Sequence, residues 1–141
     1  MLTYARVAAQ YGTDPPKGFV QYCRAHGGTN DRINTCAVRL AHAIFLCDKN
    51  FFKNVVAKSK TEWYGLPTRA SDLAIILNGN IGKAERVRKS EVAGRKGVIF
   101  FDTIPGFQGT GHISLWDGMA VVDKQDYFQA SPRAYFWKLA G

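Results

Sequence analysis

GTGHISLWDGMAVVD, residues 109–123, is the stretch whose reading decides the fold. Asp117 and Gly118 stand between two extended apolar runs, HISLW and MAVVD, the pattern of a hairpin closed by a two-residue type I′ turn. Pairing outward from that tip puts Trp116 opposite Met119, Leu115 opposite Ala120, Ser114 opposite Val121, Ile113 opposite Val122 and His112 opposite Asp123. Opposed residues of an antiparallel pair project to the same side of the sheet, with Cβ atoms about 5 Å apart. The register therefore predicts an imidazole within reach of a carboxylate. A carboxylate on one ring nitrogen sets the tautomer and stabilises the imidazolium, leaving the other nitrogen to take a proton from a nucleophile.

Upstream, GVIFFD at 97–102 is β-branched and aromatic and reads as a further strand, so the C-terminal half is expected to be an antiparallel sheet. The segment before it is helical in pattern. NTCAVRLAHAIFLC, residues 34–47, has Asn34 or Thr35 as N-cap and a broad apolar face from Ala37, Val38, Leu40, Ala41, Ile44 and Phe45. TRASDLAIILNG, residues 68–79, reads as a second helix, capped near Thr68, buried through Leu73, Ile76 and Leu77, and stopped at Gly79. Helices first and sheet second indicate an α+β fold, not alternating βαβ units. With only short Gly/Pro-rich breaks and no repeat, the chain of 141 residues is expected to form a single domain over 1–141.

The histidine pair needs a nucleophile, and Cys36 is the best placed. It falls in the first turn of a helix, where the macrodipole and an adjacent imidazolium both favour a thiolate. Cys23, Cys36 and Cys47 are an odd set, so at least one thiol must stay outside any disulfide. Cys36 and Cys47 are about 16 Å apart along one helix, beyond disulfide reach, so a bridge would have to use Cys23. Cys47 reads as a core residue. His42 lies on a different helix face from Cys36 and reads as structural, His26 as a surface residue of a Gly-rich loop. Asp126 rivals Asp123 as the orienting carboxylate but falls beyond the inferred pairing. Cys23, His26, Cys36 and Cys47 match no zinc-ligand spacing, so neither a metal nor another cofactor is expected.

Nineteen basic against eleven acidic side chains give a net charge of +8, which favours a polyanionic partner: nucleic acid, anionic lipid or a bacterial wall. The densest basic run, KAERVRKSEVAGRK at 83–96, reads as a solvated face. Trp63, Tyr64 and Trp137 could stack on bases, but the basic residues form no stripe with them, so nucleic-acid binding is the lesser alternative and no nucleic-acid partner is expected. No apolar run approaches the eighteen or so residues of a membrane span, and the N-terminus lacks the basic and apolar regions of a secretory signal. The protein is expected to be made in the cytoplasm without a signal peptide.

NTCAVRLAHAI, LPTRASDLAIIL, GRKGVIFFD and GTGHISLWDG, in this order, resemble the fourth family of type VI secretion amidase effectors, within the papain-like cell-wall peptidase superfamily. The likeness runs from about Asn34 to Asp123. It implies a papain-like fold in which N-terminal helices carrying the cysteine pack on a C-terminal antiparallel sheet carrying the histidine and aspartate. It implies Cys36 as nucleophile, His112 as general base and Asp123 as the acidic third member. The family's reaction is hydrolysis of the D-glutamate–meso-diaminopimelate amide of peptidoglycan stems. A type VI secretion system would deliver such a toxin to the periplasm of a target bacterium, and an immunity protein that blocks the active site would protect the producer. Some family members carry a cysteine pair near the C-terminal loops, whereas no cysteine follows Cys47 here. For the oxyanion, the backbone N–H of Cys36 is expected to act with a second donor, with Asn34 first among candidates; Ser114 and Trp116 are the further candidate substrate or oxyanion contacts. The same triad could serve a protein glutamine deamidase or transglutaminase, because these reactions share a thioester intermediate and differ in acceptor and pocket.

Overall fold

The computed structural model describes residues 2–12, 14–25, 35–53, 62–104, 111–131 and 133–141. In chain order the elements are α1 (Tyr4–Gln10), α2 (Phe19–Ala25), α3 (Cys36–Cys47), β1 (Glu62–Trp63), β2 (Leu66–Pro67), α4 (Ala70–Asn80), β3 (Glu85–Arg86), β4 (Gly97–Phe101), β5 (His112–Trp116) and β6 (Ala134–Lys138). β1 and β2 form a small hairpin; the other strands make one antiparallel sheet in the order β3-β6-β4-β5. The fold is thus α+β. No helix among the described residues is long and apolar enough to cross a membrane.

Alternation along the strands explains the layers. Val98 and Phe100 of β4, Ile113 and Leu115 of β5, and Trp137 of β6 join the helices in one core; Ile99, Phe101, Trp116, Ala134 and Phe136 build a second core with Val87, Val92 and Val121. Because both faces are covered, GVIFF and HISLW read as continuous apolar runs. α3 packs against β5, α1 and β2, and its first six residues, Cys36 to Ala41, are all buried.

The hairpin and both ends of the second helix depart from the sequence expectations. MAVVD is not a strand. β5 is paired in full with β4, His112 opposite Phe101 and Trp116 opposite Gly97, while its other edge meets the returning chain only at a bridge between Trp116 and Val121. The Val122 N–H donates to the Leu115 carbonyl at 2.9 Å and the Asp117 N–H to the Ala120 carbonyl at 3.0 Å. The connection is longer than two residues because the Asp117 carboxylate accepts the N–H groups of Met119 and Ala120, each at 2.8 Å, and so caps a wider loop. The pairing is displaced by two residues from the expected one, and an even shift leaves Asp123 on the His112 side of the sheet.

β6 is the strand that flanks β4 on its other side, and the sequence reading passes over it. α4 also runs past its expected stop: Gly79 lies inside it, and Gly82, at φ 137°, closes the end with its N–H toward the Leu77 carbonyl at 3.3 Å. Its N-cap position is Arg69, without a side-chain capping bond, and not Thr68.

Candidate active site

Cys36 is the first residue of α3 and His112 the first of β5, so the packing of that helix on that strand sets sulfur against imidazole. Both are buried, and the Cys36 side chain hydrogen-bonds the ring. His112 Nε2 lies 2.8 Å from Asp123 Oδ2. A carboxylate can only accept, so Nε2 carries the proton and Nδ1 is left for the thiol. Phe101 stacks on one side of the imidazole at 6.5 Å and Tyr127 meets it edge-on at 5.4 Å, which limits ring rotation.

The carboxylate is held on every side. Its Oδ1 accepts the Gln125 N–H at 3.0 Å, and its Oδ2 lies 3.6 Å from the Arg39 guanidinium. Ser114, the next residue on the His112 face of β5, hydrogen-bonds Asp123 and also lies 3.1 Å from the Tyr11 hydroxyl. The Arg39 guanidinium sits over the Tyr11 ring at 5.6 Å. Only 4% of the Asp123 side chain and 7% of the Arg39 side chain are exposed.

These surroundings set the protonation states. Burial lowers the proton affinity of His112, but the hydrogen bonds and charges of Asp123 and Cys36 outweigh it and push the imidazole up to about 9. Burial works to raise the Asp123 carboxyl, yet His112, the Gln125 N–H and Ser114 hold it below the usual carboxylate range. Burial pushes Tyr11 up to about 12, the Ser114 hydrogen bond and the Arg39 charge opposing it; it also raises Tyr127, with help from the Asp123 and Cys36 charges. Burial raises the Cys23 and Cys47 thiols, which keeps both protonated, and none of the three cysteines is in a disulfide. The arrangement can therefore present an imidazolium to a sulfur at neutral pH and return its proton to a leaving group.

Of the residues the sequence singles out, Cys36, His112 and Asp123 come together. Ser114 is fully buried between Tyr11 and Asp123, and Trp116 donates its indole N–H to the Val92 carbonyl at 2.9 Å in the second core. Neither side chain offers surface to a substrate; Ser114 supports Asp123 from within, whereas Trp116 belongs to the second core. Asn34 and His26 lie outside the described residues. Asp126 is tied to Lys89 at 2.8 Å and His42 is half-buried, neither contacting the pair. Among the described residues no cluster of His, Cys, Asp or Glu is suited to a metal ion. Sequence reading misses Arg39 and Tyr11. Arg39 leaves a trace, as an arginine three residues after Cys36 within the otherwise apolar first turns of α3.

The family model of type VI secretion system (T6SS) amidase effector protein 4, Tae4, matches residues 33–137. Among solved structures, the type VI effector Tae4 from Enterobacter cloacae is similar at 21% identity and a TM-score of 0.72, covering 99% of this chain and 98% of that one. The type VI effector-immunity complex Tae4-Tai4 from Enterobacter cloacae is similar at 23% identity and a TM-score of 0.60, over 98% and 89%. The Tae4 / Tai4 effector-immunity system from Salmonella typhimurium, as its selenomethionine variant, is similar at 20% identity and 0.63, over 99% and 90%. At these identities the likeness establishes the fold. No curated protein matches the chain.

Proposed function

Because the chain belongs to the type VI secretion system amidase effector protein 4 family, we propose that it is an antibacterial cysteine amidase that cleaves the D-glutamate–meso-diaminopimelate amide of peptidoglycan stem peptides. The observation that carries this reading is the contact of His112, at the head of β5, with Cys36 at the head of α3 and with Asp123 in the chain after β5. The mechanism follows from the groups in place. His112 takes the Cys36 proton through Nδ1, and the sulfur attacks the glutamyl carbonyl. The N–H groups of a helix's first turn have no intrahelical acceptor, so the Cys36 N–H is the natural donor to the oxyanion, with Asn34 as second donor. Collapse breaks the C–N bond, and the imidazolium gives its proton to the departing amine. Water, deprotonated by His112, then hydrolyses the thioester and regenerates the thiol. Asp123 keeps the ring oriented throughout and stabilises it each time it carries the second proton.

We further propose delivery by a type VI secretion system into the periplasm of a competing cell, a reading that membership of a secreted effector family supports. The solved complexes of related Tae4 effectors with Tai4 support a cognate immunity protein for this chain as well, which we place over the Cys36 site. Digestion of purified sacculi, read by mass spectrometry of the released muropeptides, tests the substrate. New fragments with a free glutamate carboxyl and a free diaminopimelate amine are expected. An unaltered muropeptide profile, with ammonia released instead from glutamine-containing proteins, would replace the amidase reading with a deamidase.

A further inference from the structure

Arg39 stands one turn after Cys36 on α3, with its guanidinium buried between the Asp123 carboxylate, 3.6 Å away, and the ring of Tyr11. A buried arginine is costly unless its charge is matched, and Asp123 supplies the match. It approaches Oδ2, the same oxygen that accepts from His112. The helix that carries the nucleophile thus also grips the carboxylate that orients the base.

We propose that Arg39 is a positioning residue for the amidase reaction: it clamps Asp123 to the nucleophile's own helix and divides the carboxylate's charge between two cations, so that the His112 imidazolium remains acidic enough to release its proton to the leaving amine. The inference rests on the triad reading above. The groups facing this cluster are Cys36 and Arg39 from α3, Tyr11 from just past α1, His112 and Ser114 from β5, and Asp123 and Tyr127 from the following chain. With Cys36 as thiolate and His112 as imidazolium, Arg39 brings the buried set to neutrality. Without it, His112 is the cation left against the Asp123 carboxylate in this cluster, and the ring binds its proton more tightly.

The test has two arms. In the first, the His112 imidazole is titrated by NMR in Cys36→Ala protein, with and without Arg39→Met or Arg39→Lys. Arg39→Met is expected to raise the titration midpoint by about 0.5–1 pH unit, through loss of a like charge a few ångströms away, and Arg39→Lys to leave it nearly unmoved. In the second, kinetics on a soluble disaccharide-tetrapeptide muropeptide with Cys36 intact should show kcat lowered by up to about 100-fold in Arg39→Met with KM little changed, the alkaline limb displaced upward, and substantial rescue in Arg39→Lys. A midpoint that stays put in Arg39→Met, or Arg39→Lys behaving like Arg39→Met in both arms, would overturn the proposal. If Arg39→Met does not fold, Arg39→Gln replaces it in both arms: a raised midpoint with a kcat loss at constant KM supports the clamp, and a wild-type midpoint with wild-type kcat overturns it. The first arm needs no turnover. Inactivity of the wild type on the muropeptide would therefore count against the proposed function and leave the arginine's effect on His112 to be judged by the titration.

Discussion

At the residue scale, the account depends on a histidine that stays charged well above its ordinary range. Burial alone would neutralise His112, and Asp123 and Cys36 reverse that, to about 9. kcat/KM should therefore hold through neutral pH and fall along an alkaline limb near pH 9, as the proton owed to the leaving amine is lost. Asp123→Asn removes an upward influence on the ring, so that limb should move down and activity fall by about 10²- to 10⁴-fold; a pH–rate series on the two proteins checks both. Stability follows the same sign. A raised folded value stabilises fully below 6.5 and is lost as pH climbs through about 9. The Asp123 contribution, from a lowered value, is present at neutral pH and lost in acid. The thermal midpoint should drop between pH 7 and 10 in the wild type and drop less in His112→Asn, as scanning calorimetry at each pH would reveal. Cys36, His112 and Asp123 were legible in the sequence because helix starts and a strand–turn–return pattern can be located locally. Arg39 and Tyr11 were not, since their roles arise from α1 and α3 meeting β5, which no local pattern encodes.

At the element scale, the loop after β5 places Asp123, and Asp117 holds that loop by accepting two N–H groups. Asp117→Ala should cost about 1 kcal/mol in chemical denaturation and lower activity beyond what stability explains, because the chain leading to Asp123 loosens. Two glycines offer a contrast. A Cβ at Gly97 would lie 2.0 Å from the Trp137 carbonyl oxygen, where β4 and β6 approach, whereas a Cβ at Gly79 on α4 meets nothing within 4 Å. Gly97→Ala should destabilise by about 2–4 kcal/mol. Gly79→Ala should stabilise by about 0.5–1 kcal/mol, and urea midpoints for the pair distinguish the two. The sequence carried the helix start at Cys36 and the strands at 97–101 and 112–116 because periodicity and capping residues act over a few positions. The hairpin slipped by two residues because an aspartate before glycine can either sit in a tight turn or cap a wider one. The choice depends on contacts made elsewhere, here including the Gly118 carbonyl accepting the Gly94 N–H at 2.7 Å.

At the scale of the whole molecule, a charge of +8 would hold the enzyme to a wall rich in carboxylates. Sedimentation of Cys36→Ala protein with sacculi should show bound protein released as salt rises from about 50 to 500 mM, over which the Debye length falls about threefold; salt-insensitive binding would mean that shape and hydrogen bonds, not charge, retain it. The α+β class was legible at this scale because helices and strands are segregated along the chain, while the sheet order, with β6 beside β4, was not, because antiparallel neighbours can be distant in sequence. The central claim is that Cys36 attacks the stem peptide. Its most direct test is a muropeptide digest by wild type and Cys36→Ala at matched concentration and matched thermal stability. The account predicts cleaved stems with the wild type alone; cleavage by Cys36→Ala at the wild-type rate would contradict it.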